Sequence, residues 1–249
     1  MTLHDRLVIL GKHLFRWRSY TPLIIIVLFV FEKDRFHFPF GSAAWNTIYE
    51  LGCFFISLSG EFMRIMTTGY VPRGTSGRNV RGQAAEVLNT TGMYSITRNP
   101  LYLGNYTIVL GITLWSQSWE LVIINTLLFI VAYTSIILTE EDFLHEKFGD
   151  TYNRYRDEVP CFFPRISLWK RNENRWNWKM FLRREPDSIM AVVFTSFLVE
   201  QFRIFTINGK ITISWLWFLL AGVIAALWII AKILKKLTRL LKIQPYSGS

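Results

Sequence analysis

The sequence is poor in the features that mark soluble nucleotide-binding enzymes and secreted domains. It has two cysteines, Cys53 and Cys161, which leaves room for one bridge at most and excludes a disulfide framework. Its four histidines, His4, His13, His37 and His145, stand apart without metal-ligand spacing, so no metal site is expected. No Gly-x-Gly-x-x-Gly follows a strand pattern, which excludes a soluble Rossmann domain. Gly74-Thr75-Ser76-Gly77 with Gly82 lacks the spacing and lysine of a phosphate-binding loop and reads as a flexible loop. There is no internal repeat and no low-complexity tract. The N-terminus is polar and basic through Arg18, and no small-residue cleavage site follows the first apolar run, so no cleavable signal peptide is expected.

What the chain does have is apolar surface and positive charge together. Its 249 residues are 51% hydrophobic and 16% aromatic, yet the formal net charge is +10. The apolar residues come in blocks with the charges between them, as in membrane spans joined by basic loops. A span needs about 20 mostly apolar residues. Six candidates follow: a short one near Tyr20 to Phe31, then Ala43 to Met66, Tyr102 to Ser118, Trp119 to Thr139, Ile189 to Ile207 and Ile211 to Ile230. The third and fourth are nearly continuous and predict a tight helical hairpin. The expected fold class is all-α, a polytopic membrane helix bundle of about six transmembrane helices.

The distribution of lysine and arginine tests that layout. With the N-terminus in the cytoplasm, 23 of the 28 basic residues fall in cytoplasmic segments, and only Lys33, Arg35 and Lys210 fall in outside loops. The positive-inside bias then puts both termini in the cytoplasm. Three regions follow: a basic segment with two spans over 1–85, a core over 86–165 holding the hairpin and a cytoplasmic helix, and two further spans with a basic tail over 166–249. Within the core, the apolar residues of 140–160 recur at helical spacing, and Pro160 and Pro164 end that run. Beyond it, Trp169-Lys170-Arg171 and Arg175-Trp176-Asn177-Trp178-Lys179 interleave indoles and cations as a headgroup interface does. Lys232 to Lys242 predicts a basic amphipathic helix. Both stretches suit anchoring on the positive-inside face, or attraction of an anionic lipid. Basic residues set beside spans argue against nucleic acid as a partner.

Two motifs carry chemistry. In Gly92-Met93-Tyr94-Ser95-Ile96-Thr97-Arg98-Asn99-Pro100-Leu101-Tyr102-Leu103-Gly104, Gly92 permits a turn and Pro100 fixes a helix start. Arg98 sits at a membrane boundary, where it can pair with a carboxylate, and the tyrosine faces can rest against a cation. An ordinary interfacial Arg and Tyr belt would look similar. Glu140-Glu141 closes the fourth span, and on a helix the two acids point about 100° apart, so one can face the bundle.

Together the motifs say more than either alone. Arg-Asn-Pro-x-Tyr-x-Gly, a span pair, then Glu-Glu-x-Phe-Leu-x-x-x-Phe-Gly-x-x-Tyr-x-x-Tyr and Val159-Pro160 resembles the isoprenylcysteine carboxyl methyltransferases and their relatives, the phospholipid methyltransferases. The resemblance covers roughly Glu86 to Pro164. It implies a membrane-embedded enzyme using S-adenosylmethionine. It places cofactor contacts on Leu88, Asn89, Tyr94, Asn99, Pro100, Leu101, Tyr102 and Glu140, with Arg98 and Glu141 at the reacting centre. Two positions depart from the pattern. Asn99 replaces a histidine and cannot carry charge, and Ile136 stands where the prenylcysteine enzymes place a substrate-binding arginine. Both shift the expected acceptor from a prenylcysteine carboxylate towards an anionic lipid headgroup. The chain is similar to bacterial relatives that methylate a lipid A phosphate, and a bacterial inner membrane is the expected location.

Other readings stay open. A phospholipid amine acceptor would need a base, for which Glu140 or Glu141 is the candidate, His145 reading as a solvated surface residue. A sterol-reductase-like enzyme using NADPH shares an Arg-x-Pro-x-Tyr-x-Gly element, but its chains are longer. A non-enzymatic scaffold or transporter subunit could use Glu50, Glu61, Glu200 and Arg203 as a polar path. Helical i, i+3 pairing of Glu61 with Arg64, and of Glu200 with Arg203, accounts for those charges without transport.

Overall fold

The computed structural model describes residues 2–17, 42–72, 85–213, 215–238 and 240–241. The first predicted span, Tyr20 to Phe31, lies outside the described residues. Among those described, secondary structure is helical: α1 (Leu3–Trp17), α2 (Ala43–Thr68), the short α3 (Met93–Ile96), α4 (Pro100–Leu114), α5 (Trp119–Phe148), α6 (Asp150–Glu158), α7 (Trp178–Arg184), α8 (Pro186–Asn208) and α9 (Trp215–Leu237). The all-α reading holds. Three helices are long and apolar enough to cross a membrane by length and composition: α5, α8 and residues Trp217–Leu237 of α9. The other two predicted spans present as helices of a different kind. α4 is apolar but has 15 residues, and the 26-residue α2 carries Asn46, Glu50, Glu61 and Arg64.

Local chemistry sets the helix ends. Pro100 occupies the first turn of α4, where its missing N–H costs nothing. The hairpin turn is closed by Gln117 at φ 60°, and the Ser118 side chain then caps α5 by accepting from Leu121 N. α5 continues through Glu140-Glu141 without a break and stops only at Gly149, where φ is 52°. The helix expected over 140–160 is therefore the end of α5 followed by the separate α6. Likewise the basic run from Lys232 continues α9 as far as Leu237.

α2 and α4 form the tightest seam. A Cβ placed on Gly60 would lie 2.5 Å from the Gly104 carbonyl oxygen, and one on Gly104 would lie 2.8 Å from that of Gly60. Small residues here let two backbones touch, the association mode that serves where lipid removes the hydrophobic drive between helices. α1 lies antiparallel to α5: Thr139 Oγ1 donates to Val8 O, Gly11 fits against Ser135, and Leu14 packs on the cluster around Tyr133.

At the end of the bundle away from Pro100, Arg203 binds Glu200 at 3.1 Å and also pairs with Glu50, while Trp115 Nε1 donates to Glu200. The expected Glu200–Arg203 pair is present and joins α8 to α2.

Candidate active site

The motif residues converge at the end of the bundle where α2 finishes and α4 begins. The chain from Ser95 to Pro100 is held by a strap formed by residues 159–170. Arg98 N donates to Pro160 O at 2.9 Å, Arg165 N to Ile96 O at 2.9 Å, and Gly92 N to Lys170 O at 2.9 Å. Side chains complete the strap. Buried Thr97 donates to the Phe162 carbonyl at 3.0 Å, and Asn99 Nδ2 donates to that of Cys161 at 3.0 Å. Ser95 Oγ receives Lys170 N at 2.9 Å. Ser95, Thr97 and Cys161 carried no sequence signal for this work, because their partners lie 62 to 75 residues away.

Arg98 and Glu141 are joined directly. Arg98 Nη2 and Nε donate to Glu141 Oε1 at 2.7 and 3.0 Å. Nη1 donates to the carbonyls of Arg156 at 2.8 Å and Val159 at 2.7 Å, the last turn of α6. One guanidinium thus ties the start of α4 to α5 and caps α6. Burial opposes its charge, but the bonds and field of Glu141 outweigh burial and raise its pKa further.

Glu140 turns the other way. Tyr102 Oη donates to Glu140 Oε1 at 2.7 Å. Burial holds the Tyr94 hydroxyl far above its ordinary range; the Glu140 carboxylate pushes the same way and the Arg184 guanidinium pulls back. Both charges therefore act on that hydroxyl. The Tyr94 backbone is pinned by Tyr155 Oη, which donates to its carbonyl at 2.8 Å. Leu88 packs on Tyr152, Tyr155 and Val159. Pro100 is fully buried, while Asn89 and Leu101 are half-buried. Ile136 is 1% exposed, in the apolar cluster of Tyr102, Phe129 and Tyr133. His145 is exposed and hydrogen-bonds Asn153 at 2.9 Å, on the outer face as expected.

A second polar chain runs inward from the site. The Tyr102 ring meets Tyr133 edge-on at 4.9 Å, and Asn105 Nδ2 donates to Tyr133 Oη at 3.3 Å. Asn105 Oδ1 accepts from Arg64, whose Nη2 donates to buried Glu185 at 3.0 Å. Glu61 stands 3.8 Å from Arg64 Nε, so the expected i, i+3 pair is the weaker of Arg64's two ionic contacts. An arginine inside an apolar run was the available signal for this chain.

With this geometry described, the comparisons can be placed on it. Residues 44–151, which contain α2, the Arg98 motif and the acidic pair, match the phospholipid methyltransferase family model. This match, with a prenylcysteine methyltransferase among the relatives below, supports placing the segment in the isoprenylcysteine carboxyl and phospholipid methyltransferase superfamily. Among curated relatives, a cobalt-zinc-cadmium resistance protein of Cupriavidus metallidurans is 34% identical over 51% of this chain and 58% of its own length. A nickel-cobalt-cadmium resistance protein of Alcaligenes xylosoxydans xylosoxydans is 29% identical over 62% and 65%. The protein-S-isoprenylcysteine O-methyltransferase of Schizosaccharomyces pombe is 26% identical over 48% and 51%. The chain thus spans between about half and two thirds of the length of these relatives. No solved structure matches it. The family match over residues 44–151 and three apolar helices of spanning length support an integral membrane protein. The strap, α7, α8 and α9 lie beyond the matched residues.

Proposed function

We propose that the protein transfers a methyl group from S-adenosylmethionine to the headgroup of a membrane lipid, with an anionic phosphate as the favoured acceptor. The observation that carries the reading is the splitting of the acidic pair: Glu141 locked to Arg98, and Glu140 turned to Tyr102 beside Tyr94. When bound, S-adenosylmethionine supplies an electrophilic methyl on a cationic sulfur. The residues present fit such a group. Glu140 offers a carboxylate for the cofactor's hydroxyl or ammonium groups, and Tyr94 and Tyr102 offer aromatic faces that favour a cation. Arg98 and Glu141 act as a strut that fixes this arrangement, since four of the five guanidinium N–H groups are already engaged.

Methyl transfer is an in-line displacement, so the protein's task is to align the reactants and keep water out. An amine acceptor would need a base. Glu141 is tied to Arg98, Glu140 to Tyr102, and His145 to Asn153 on the outer face. An acceptor that is already an anion needs no base, and residues 159–184, with seven Lys and Arg against one acid, favour such a headgroup. The buried Ile136 likewise offers no charge to a prenylcysteine carboxylate. In this reading the bundle has about six spans, with both termini and the site on the cytoplasmic side.

The test is incubation of the purified protein with methyl-labelled S-adenosylmethionine and total membrane lipids, followed by mass spectrometry. Label on a phosphate-bearing lipid is expected. Label on a thioether-linked carboxyl group instead would reject the lipid acceptor, and absence of both label and cofactor binding would reject the reading as a whole.

A further inference from the structure

α7 and the residues leading into it lie beyond the matched segment, yet they are docked against the candidate site. Lys170 O receives Gly92 N at 2.9 Å, two residues before Tyr94, and the Asn172 amide fills the space beside Gly92. Asn177 N donates at 2.7 Å to Gly69 O, at the end of α2. The Asn177 side chain then accepts from Lys179 N and Met180 N and so starts α7. At the far end of α7 the neighbouring side chains diverge. Arg183 Nη1 donates to Leu241 O at 2.8 Å, and Glu185 turns to Arg64 at 3.0 Å. Arg184, between them, brings its charge to Tyr94: its field and that of the Glu140 carboxylate act on the same hydroxyl, in opposite senses. Tyr94, Glu140 and Arg184 each keep part of their surface open. The other two arginines of the site are committed elsewhere, Arg98 to Glu141 and the end of α6, Arg64 to Asn105 and Glu185. A carboxylate and a guanidinium that converge on one phenol are the complement of a zwitterionic amino acid. The methionine end of S-adenosylmethionine is such a group.

We propose that Arg184 binds the carboxylate of the cofactor's amino-acid end, with Glu140 taking the ammonium. A guanidinium suits that task because its paired N–H groups match both oxygens of a carboxylate. The inference rests on the cofactor named in the proposed function and is independent of the acceptor. It places one cofactor contact on a residue outside the matched segment, at the junction of α7 and α8.

Purified full-length protein in detergent is titrated by calorimetry with S-adenosylhomocysteine and with its decarboxylated analogue, which keeps the nucleoside, the sulfur and the amine. The unaltered protein is expected to bind S-adenosylhomocysteine roughly tenfold or more tightly than the analogue, as a hydrogen-bonded charge pair would give. In Arg184→Gln that preference shrinks to about threefold or less, while the analogue binds as before. Arg183→Gln keeps the full preference, because that guanidinium goes to Leu241. A preference that survives in Arg184→Gln, that is lost in Arg183→Gln as well, or that the unaltered protein lacks overturns the proposal. So does equal weakening of both ligands in Arg184→Gln, which means that Arg184 only shapes the site. Should Arg184→Gln fail to fold, Arg184→Lys decides: the preference falls to about half or less, since a point charge replaces the fork, and an unchanged preference overturns the proposal. Methyl transfer to total lipids is measured in parallel. An unaltered protein that binds neither ligand and labels nothing rejects the proposed function as a whole, whereas binding and transfer with the preference unmoved in Arg184→Gln rejects the role of Arg184 alone.

Discussion

The Arg98–Glu141 pair offers the most direct test of how the site is held. Arg98→Ala removes two bonds to Glu141 and two to the carbonyls that end α6. Losing one partner of a fully buried ion pair costs about 3–5 kcal/mol. Here the side chains are 12% and 18% exposed, so water reaches part of the pair and about 2–4 kcal/mol is the better figure. For a chain of this size that is a fall in melting temperature of roughly 4–16 °C. Glu141→Gln keeps an acceptor and should cost less. The informative quantity is the coupling from a double-mutant cycle, read by thermal unfolding in detergent. A strut predicts that Arg98→Ala costs much less once Glu141 is already Gln, with coupling above about 1 kcal/mol. Arg98→Lys should recover less than half of the loss, since a point charge cannot reach Glu141 and two carbonyls together. Additivity within about 0.5 kcal/mol would show that the pair is not the strut. A folded Arg98→Ala protein with undiminished methyl transfer would remove Arg98 from the catalytic site.

Three further outcomes follow from the same contacts. Tyr102→Phe deletes the donor to Glu140 and should weaken S-adenosylhomocysteine binding by about tenfold or more, measured by titration calorimetry, with little change in melting temperature. Gly104→Ala drives a methyl into the Gly60 carbonyl and the Arg64 stem, so it should cost about 1–3 kcal/mol by overpacking, whereas Gly52→Ala, which meets nothing within 4 Å, should be near neutral. The Tyr94, Tyr152 and Tyr155 hydroxyls are all raised above the ordinary value of 10.0, chiefly by burial. The folded state therefore keeps protons that the unfolded chain releases, so stability is full below pH 10 and falls as pH rises above it. Tyr152→Phe should flatten that alkaline decline in melting temperature, and an unaltered slope would count against it.

The helices were legible where blocks of apolar residues end in charge. The α4–α5 hairpin and the presence of α8 and α9 follow from that pattern, and Pro100 marks the start of α4; the starts of α8 and α9 fall at Pro186 and Trp215, not at the Ile189 and Ile211 where the apolar blocks begin. The end of α5 did not, because its acidic pair marks a change of solvent and not of backbone; only Gly149, with its positive φ, stops the helix. The strap was the larger surprise. Just past it, Trp176 reads as an interfacial aromatic residue, yet its indole fills the space beside Gly69, and the Asn172 amide fills that beside Gly92. A contact made by the absence of a Cβ leaves no periodicity to read. At the site, the motif pair could be found from sequence and the division of labour could not. Two adjacent helical acids must diverge, but which meets Arg98 depends on the rotation of α5 within the bundle.

That rotation also explains how the two departures from the superfamily pattern fit together. With Glu141 facing Arg98, position 136 falls on the side of α5 that carries Phe129 and Tyr133 and packs on Tyr102, where an arginine would have to be buried among rings. The cation at this depth comes instead from α2: Arg64 reaches Asn105 on α4 and Glu185 at the start of α8. Position 99 is then free of any demand for charge, and Asn99 serves as a donor to the strap. The consequence is that α8 is wired into the site through Glu185, Arg64, Asn105 and Tyr133 and does not merely follow it in sequence. A change at Glu185, 1% exposed, should therefore weaken cofactor binding as well as stability, although it touches none of the motif residues.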